Sequence, residues 1–369
     1  MMKYDFDEII ERRVTDAIKW SKKLLKENFG EEECIPMWIA DMDFLAAKPI
    51  REAIMERAHH GIFGYGHKSK EFLEAAVNWQ KKRNGWDIEP EWILFTPGII
   101  PALSFIVETF CNRGDKVIIQ SPVYYPFANI IKDNGCHVVN NPLVLKNGIY
   151  EMNFSELEEL AQDSRVKLMI LCSPHNPVGR VWTEEELKRL GEICIKNNVL
   201  VVADEIHSDL IYKPNRHIPF GKISEEFKMN SIICTSPSKT FNLAGLQVSN
   251  IIIPNKRIRR ELNNKLKTID IDPGSFASVA QIAAYNHGEE WLEQLLVYLQ
   301  DNLDFIDQYV KKYMSGVRLI KPEATYLAWL DFSSYGLTDH ELQELMQKKA
   351  KVALDDGTIF GAGGEQFQR

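Results

Sequence analysis

Short apolar runs rich in β-branched residues alternate with helical patterns between about residue 90 and residue 250. Runs of this kind are typical of strands buried on both faces, and the helical segments between them suit crossovers between parallel strands. The runs are KVIIQ from residue 116, KLMILCS from 167, NVLVVADE from 198 and NSIICTS from 230. This alternation of strand and helix patterns predicts an α/β fold in which a mainly parallel sheet is covered by helices on both faces.

One of the predicted helices has a clear start signal. Thr183 is followed three residues later by Glu186, which is the pattern of a capping box. Leu187, Leu190 and Cys194 then follow at the spacing of a single helical face. The segment therefore predicts a strand, helix, strand unit between the runs at 167 and 198.

The two ends of the chain differ in character from this central region. A chain of 369 residues is long for one compact core. We predict an amphipathic helix at the N-terminus, and long helical patterns dominate from about residue 285. This organisation predicts a large domain over residues 46–284 and a smaller α/β domain formed by residues 1–45 together with 285–369. The final residues, GAGGEQFQR, show no helical or strand pattern, which suggests a truncated C-terminal part.

Composition and charge exclude several classes of function. The net charge is −8 and basic residues are scattered among acids, so we expect neither a nucleic-acid nor a membrane partner, but a small-molecule substrate. The six cysteines include no CxxC pair, so neither a metal site nor a disulfide scaffold is expected. The N-terminus lacks a signal-peptide pattern and no apolar run could span a membrane. We therefore expect a cytoplasmic protein.

Polar residues follow three of the predicted strands, at the edge where open α/β sheets bind ligands. Asn176, Asp204 and Lys239 each lie at or just after a strand end. A lysine that forms a Schiff base needs a partly desolvated environment and an electron sink nearby. Asp204 would hold a pyridine nitrogen protonated, so that the ring accepts charge from a substrate carbanion. Together these residues indicate a pyridoxal 5′-phosphate (PLP) site.

Each residue taken singly also has a simpler interpretation. Lys239 lies in a loop rich in serine and proline, where most lysines are solvated surface charges. Asp204 would cap a following helix, and Asn176 would form a turn with the next proline. His207 would be a packing residue, or would reach the same cofactor oxygen as Asn176. Considered one at a time, these residues leave both interpretations open.

Five motifs occur in an order that is known from one enzyme superfamily. They are Gly98-Ile99-Ile100, Pro122-Val123-Tyr124, Asn176-Pro177-Val178-Gly179, Asp204-Glu205 and Ser236-Pro237-Ser238-Lys239. In this order the chain resembles the fold-type I PLP enzymes, the aspartate aminotransferase superfamily, from about residue 30 to its end. The resemblance implies a fold-type I transferase, with a three-layer α/β/α large domain and a smaller α/β domain, and PLP as the cofactor.

The resemblance also implies roles for individual residues. The backbone amides of Ile99 and Ile100, at a helix start, would hold the phosphate. The hydroxyls of Ser236 and Ser238 would also bind it. Tyr124 would stack on the pyridine ring, and Asn176 would donate to the phenolic oxygen. Tyr65 would reach the phosphate of the other subunit across a homodimer interface. The simpler interpretation of Tyr65 and Tyr124 is ordinary aromatic packing.

Further motifs resemble one branch of the superfamily, the MalY/PatB-type cystathionine β-lyases or C-S lyases. They are PMWIADMDF from residue 36, histidine at 207 where typical aminotransferases have tyrosine, KTFNLAGLQ from 239, TYLAW from 325 and GAGGEQFQR from 361. The implied reaction is α,β-elimination from L-cystathionine or related S-substituted cysteines, with Lys239 as the base. Ala40, Asp41 and Arg369 would contact the substrate, and Arg369 would bind its α-carboxylate.

Two other functions use the same cofactor. An aminotransferase shares the first half of the chemistry, and only the fate of the carbanion differs. A PLP-bound protein that acts mainly by binding a regulator is a third interpretation, although no sequence feature marks such a surface. Arg369 is the last residue, so we expect it to be poorly held, with its own carboxylate competing for its guanidinium.

Overall fold

The computed structural model describes residues 3–369. The strands in this range are β1 (Ile35–Pro36), β2 (Ile93–Thr96), β3 (Lys116–Ile119), β4 (His137–Asn140), β5 (Val144–Lys146), β6 (Ile149–Glu151), β7 (Val166–Cys172), β8 (Leu200–Asp204), β9 (Ser231–Thr235), β10 (Ser249–Ile252), β11 (Arg318–Ile320), β12 (Trp329–Asp331), β13 (Val352–Ala353) and β14 (Phe367–Gln368).

The α-helices are α1 (Lys22–Phe29), α2 (Lys48–His60), α3 (Lys70–Asn84), α4 (Ile99–Phe110), α5 (Pro126–Asp133), α6 (Phe154–Ala161), α7 (Glu184–Lys196), α8 (Glu225–Met229), α9 (Pro237–Thr240), α10 (Lys256–Lys267), α11 (Ser275–His287), α12 (Glu289–Tyr313) and α13 (Asp339–Glu344). Short 3₁₀ helices are Ile18–Trp20, Pro90–Trp92, Phe220–Lys222, Ala244–Leu246, Ser333–Tyr335 and Gly357–Phe360, and α13 continues as a π-helix over Leu345–Ala350.

A seven-stranded sheet forms the centre of the molecule. Its strand order is β2-β10-β9-β8-β7-β3-β4, and β10 runs antiparallel to both of its neighbours while the other pairs are parallel. The four apolar runs identified in the sequence are β3, β7, β8 and β9. The prediction of a mainly parallel sheet is therefore confirmed.

Helices cover both faces of this sheet. In β8, Val201 and Ala203 belong to a hydrophobic core that also contains the buried face of α7. Val202 points the other way, into a core shared with α4 and α10. Because successive side chains of a strand point to opposite faces, a strand buried on both sides needs two such cores. The three-layer α/β/α architecture is confirmed.

Helix α7 begins as its sequence pattern predicts. The Thr183 hydroxyl accepts a hydrogen bond from the Glu186 amide at 3.2 Å, and the Glu186 carboxylate accepts one from the Thr183 amide at 2.8 Å. Leu187, Leu190 and Cys194 are all buried against the sheet. The helix thus joins β7 to β8, and this brings the ends of those two strands to one edge of the sheet.

Residues from both ends of the chain lie together beside the central sheet. Strand β1 pairs in parallel with β13, and β11, β12 and β14 form an antiparallel sheet. The first turns of α12 pack in the large core through Trp291 and Leu295, whereas Val310 lies in a smaller core with Phe332 and Leu342. These contacts agree with a smaller unit built from both chain ends, and the boundaries 46–284 remain a prediction.

The amphipathic helix predicted at the N-terminus is wrong. Residues 3–17 contain no helix, and the first α-helix is α1. Phe6 packs edge-on against Trp291 with ring centroids 5.8 Å apart, and Arg12 pairs with Asp41 at 2.8 Å. These contacts with distant residues require an extended path and override the local helical pattern. Residues 1 and 2 of the same prediction lie outside the described part.

The expectation that the chain closes without a strand is also wrong. Phe367 and Gln368 form β14, which pairs with β12. The turn before it is very tight, because a Cβ added to Gly357 would lie 2.0 Å from the carbonyl oxygen of Gly364. A two-residue strand is too short to show an alternating pattern, so the sequence carries no signal for it. No helix in residues 3–369 is long and apolar enough to cross a membrane.

Candidate active site

Strands β7, β8 and β9 end at the same edge of the sheet, and a cavity of about 310 Å³ opens there. Asp204 lies directly opposite Cys172 of β7 and Cys234 of β9. The cavity is lined by most of the predicted site residues, namely Ala40, Ile99, Ile100, Tyr124, Asn176, Asp204, His207, Ser236, Ser238, Lys239 and Arg369. Residues that are up to 329 positions apart in the chain therefore share one pocket.

Lys239 lies in the short helix α9, which follows β9 directly. Its Nζ donates a hydrogen bond of 2.6 Å to the backbone carbonyl of Ala40. Burial lowers the pKa of Lys239 to about 8, and the positive charge of Arg369 acts in the same direction, while Asp41 and Asp204 oppose it. An amine with this pKa is partly unprotonated near neutral pH. Lys239 is therefore not a solvated surface charge.

Asp204 is the last residue of β8 and is buried. Burial raises the pKa of its carboxyl to about 7, against the opposing effects of the Ile206 amide and of Lys239. The amide of Ile206 donates to its Oδ1 at 3.2 Å, and a turn rather than a helix follows, so Asp204 is not a helix cap. A carboxylate in this environment is stabilised by a cation, such as a protonated ring nitrogen.

Asn176 and His207 both line the pocket. The Asn176 side-chain oxygen accepts a hydrogen bond from Arg369 at 3.2 Å, which leaves its Nδ2 as a donor for another group. Burial, Lys239 and Arg369 lower the pKa of His207 to about 3, so this imidazole is neutral. Its buried Nδ1 has no hydrogen-bond partner within residues 3–369. Asn176 Nδ2 and His207 Nδ1 are therefore both available to hydrogen-bond a bound molecule.

The start of helix α4 also lines the pocket. Gly98 precedes it with φ of 105°, a conformation that favours glycine, and the helix has no side-chain cap. The amides of Ile99 and Ile100 are among the helical N–H groups that have no partner within the helix, and such groups bind anions. Nearby, the Ser236 hydroxyl donates to the Val248 carbonyl at 2.6 Å. Its hydrogen is therefore used inside the protein.

The expectation that Arg369 is poorly held is wrong. Its side chain is buried, and its guanidinium donates to the Trp38 carbonyl at 3.0 Å and to the Asp355 carboxylate. The ring of Phe360 covers one face of the guanidinium at 4.9 Å. The Arg369 amide also donates to the Asp355 carbonyl at 3.0 Å. These contacts fix both the backbone and the side chain of Arg369.

Two of the predicted site residues do not line the pocket. The two carboxylate oxygens of Asp41 accept hydrogen bonds from Arg12 at 3.1 and 2.8 Å, and Lys19 lies 3.8 Å away. Asp41 is therefore engaged in an ion-pair cluster of the N-terminal segment. Tyr65 is fully exposed in the loop between α2 and α3, outside the pocket of its own chain.

Sequence reasoning missed several residues that line the pocket, namely Trp38, Tyr125, Cys172 and Asp355. Cys172 ends a predicted strand, so the rule that ligands bind at strand ends would have found it. Asp355 is a single acidic residue in a segment without periodicity, and no signal in the sequence points to it. Its importance follows only from its contact with Arg369.

Comparison with known proteins adds a decisive observation. Residues 32–369 match the family model of aminotransferase class I and II. The chain belongs to this family. Its members include proteins of several activities, so individual relatives carry more information about the reaction.

The most similar relatives of this aminotransferase-family chain include two bacterial proteins. Cystathionine β-lyase PatB of Bacillus subtilis (strain 168) is 45% identical over 366 residues, covering 99% of this chain and 94% of PatB. Protein MalY of Escherichia coli (strain K12) is 32% identical over 369 residues, covering 99% of this chain and 93% of MalY. The crystal structure of cystalysin from Treponema denticola, which contains a PLP cofactor, matches with a TM-score of 0.96 and 34% identity, covering 100% and 94%. The resemblance to MalY/PatB-type lyases is confirmed.

Proposed function

We propose that this chain is a PLP-dependent carbon–sulfur β-lyase. It cleaves L-cystathionine, or a related S-substituted cysteine, to a thiol, pyruvate and ammonia; the thiol from cystathionine is homocysteine. The observation that carries the proposal is the shared pocket of Lys239, Asp204 and Arg369, in which burial lowers the pKa of the lysine to about 8. The 45% identity with PatB favours elimination among the reactions that such a pocket suits.

The residues of the pocket fit PLP. Asp204 would hold the ring nitrogen, and its carboxyl, with a pKa raised by burial, gains a cationic partner there. Asn176 and His207 would face the phenolic oxygen, since each retains unused polar capacity in the pocket. Tyr124 would stack on the ring. The phosphate would lie at the start of α4, held by the amides of Ile99 and Ile100, beside Ser236 and Ser238.

Each residue then has one task in the reaction. When bound, PLP supplies an electron sink for the electron pair that is left on the substrate α-carbon. Asp204 keeps the proton on the ring nitrogen, which makes that sink effective. Arg369 binds the substrate α-carboxylate through paired N–H donors, and Ala40 lines the same pocket.

Lys239 is the base. Its amine takes the α-proton, since a pKa of about 8 leaves part of the population unprotonated near neutral pH. The bond between the β-carbon and sulfur then breaks and the thiolate leaves. Addition of water to the remaining three-carbon fragment yields pyruvate and ammonia. The Ala40 carbonyl, which accepts a hydrogen bond from Nζ, holds the amine inside the pocket.

An aminotransferase is the second candidate, because the matched family also contains aminotransferases. The two reactions differ in their products. We expect the purified holoenzyme to release pyruvate and thiol in equal amounts from L-cystathionine, without any keto acid present. Amino transfer to 2-oxoglutarate without thiol release would contradict the proposed lyase activity.

We also propose a cytoplasmic homodimer whose subunits share their active sites, with Tyr65 reaching the partner's phosphate site. The exposure of Tyr65, Ile62 and Phe63 in one loop supports this assembly, because apolar patches of this kind mark interfaces. The division into a large domain of residues 46–284 and a smaller domain from both chain ends is part of the same proposal. It is supported by the pairing of β1 with β13.

A further inference from the structure

The guanidinium of Arg369 already binds a carboxylate that belongs to this chain. Its Nη2 donates both to the Asp355 carboxylate and to the backbone carbonyl of Trp38, the latter at 3.0 Å. Its Nη1 donates to Asn176 at 3.2 Å. The side chains of Arg369 and Asp355 are only 5% and 12% exposed, so water screens this ion pair weakly.

These contacts leave no guanidinium edge free for a second carboxylate. A carboxylate that binds in bidentate fashion uses either the edge formed by Nε and Nη2 or the edge formed by Nη1 and Nη2. Both edges need a hydrogen of Nη2, and both hydrogens of Nη2 have partners. Phe360 lies 4.9 Å from the guanidinium carbon and covers one face, which limits rotation to a different arrangement.

Of the two partners of Nη2, Asp355 is the one that can leave. The Trp38 acceptor is a backbone carbonyl, whereas the Asp355 carboxylate moves by rotation about two side-chain torsions. The backbone of Asp355 is held by its hydrogen bonds with Arg369, at 3.0 and 3.2 Å, and does not need to move. Displacement of this one side chain therefore frees one hydrogen of Nη2, and with it one edge of the guanidinium.

We propose that Asp355 is a specificity-determining residue that competes with the substrate α-carboxylate for Arg369 and is displaced when the substrate binds. The inference rests on the proposed role of Arg369 in substrate binding. A carboxylate ligand replaces the Asp355 carboxylate as the partner of Arg369. A neutral ligand would instead leave the charges of Arg369 and Asp355 both buried and unpaired. Asp355 thus weakens the binding of every carboxylate ligand and bars neutral analogues from this position.

The test uses propionate, a carboxylate without an amino group, which binds but cannot react. We expect Asp355→Asn in the holoenzyme to bind propionate about tenfold more tightly, which corresponds to about 1.4 kcal/mol. Propionamide, its neutral counterpart, gains less, because a neutral ligand is not repelled by the displaced Asp355 carboxylate. Calorimetric titration measures both ligands. A change in pocket shape would affect the two ligands alike. Glu365→Gln is the matched control, because it removes one exposed negative charge from the same segment.

Steady-state kinetics give a second readout. The KM for L-cystathionine falls in parallel with the propionate dissociation constant, while kcat stays within about twofold. Weaker propionate binding in Asp355→Asn, as in Arg369→Lys, would show that Asp355 only positions the guanidinium, and an unchanged affinity would also overturn the inference. Asp355→Ser gives a second test if the first variant folds poorly.

Propionate binding is measured without turnover, which separates this inference from the proposed function. Tighter propionate binding in a protein that cleaves neither L-cystathionine nor other S-substituted cysteines would refute the lyase activity and leave the competition intact. Lyase activity with unchanged propionate affinity would refute the competition alone.

Discussion

The Nζ of Lys239 donates a hydrogen bond to the backbone carbonyl of Ala40 across a separation of 199 residues, at a distance of 2.6 Å. The same carbonyl accepts a hydrogen bond of 2.8 Å from the hydroxyl of Tyr326. Segments from three distant parts of the chain therefore meet at one oxygen atom. This arrangement gives the lysine amine a defined position at the pocket wall.

In the proposed mechanism, replacing Lys239 removes both the attachment point of the cofactor and the base. We expect Lys239→Ala to lose the yellow absorbance of the holoenzyme and to lower lyase activity by about 10²- to 10⁴-fold, the usual effect of losing a proton-transfer group. Absorbance spectra and pyruvate release measure the two effects. Lys267→Ala, at an exposed lysine, is the control. A variant of Lys239 that keeps the wild-type spectrum would contradict its role.

Asp204 makes the stability of the apoprotein depend on pH. Its pKa is raised from 3.8 to about 7, so the folded state holds a proton that the unfolded state has lost between these values. The free energy of unfolding therefore falls as pH rises from about 4 to about 7. We expect apoprotein Asp204→Asn to match the wild type near pH 4 and to be more stable above pH 7, by up to about 4 kcal/mol.

Urea unfolding at a series of pH values measures this difference, and titrations that the two proteins share cancel. A stability difference that is the same at pH 4 and pH 8 would contradict the raised pKa. In the holoenzyme, the same substitution lowers lyase activity, because the neutral amide of asparagine does not hold a proton on the ring nitrogen.

The ion pairs of Asp41 indicate a structural role. Its carboxylate binds Arg12 in bidentate fashion and lies outside the pocket. We expect Asp41→Asn to lower the free energy of unfolding by about 1–2 kcal/mol, with KM for L-cystathionine within about twofold of the wild type. Denaturant unfolding and kinetics measure these quantities, with Glu8→Gln as an exposed control. A large rise in KM with unchanged stability would instead support substrate contact.

Shared active sites can be tested by mixing two inactive variants. Lys239→Ala and Tyr65→Ala each lack one part of the site, but a mixed dimer contains one site with both residues intact. Random exchange of subunits yields about one quarter of the wild-type activity. Pyruvate release after co-refolding of the two variants measures the recovery, and each variant refolded alone is the control. No recovery, despite dimers in analytical ultracentrifugation, would show that Tyr65 does not act across the interface.

The order of motifs along the chain was enough to predict most of the pocket. Asn176, Asp204 and Lys239 follow β7, β8 and β9, and adjacent parallel strands bring their carboxyl ends to one edge. Local patterns also predicted the central strands and the capping box at Thr183, because each of these features depends only on neighbours within a few residues.

The same local patterns failed where distant contacts decide the conformation. Phe6 and Arg12 bind residues far along the chain, so the N-terminal segment is extended although its sequence is amphipathic. Strand β14 exists because β12 offers it a partner, not because two residues carry a strand pattern. Neither outcome could be read from a window of sequence.

The sequence by itself determined the fold class, the strand-end motifs and the position of Lys239 at a strand end. Only the tertiary structure decided how acidic Lys239 is and what Arg369 binds. Burial lowers the pKa of Lys239 to about 8, and burial exists only after packing. Asp355 and Arg369 meet because a tight turn and a short strand bring their side chains together. Desolvation and long-range contacts are properties of the folded chain, and no local pattern encodes them.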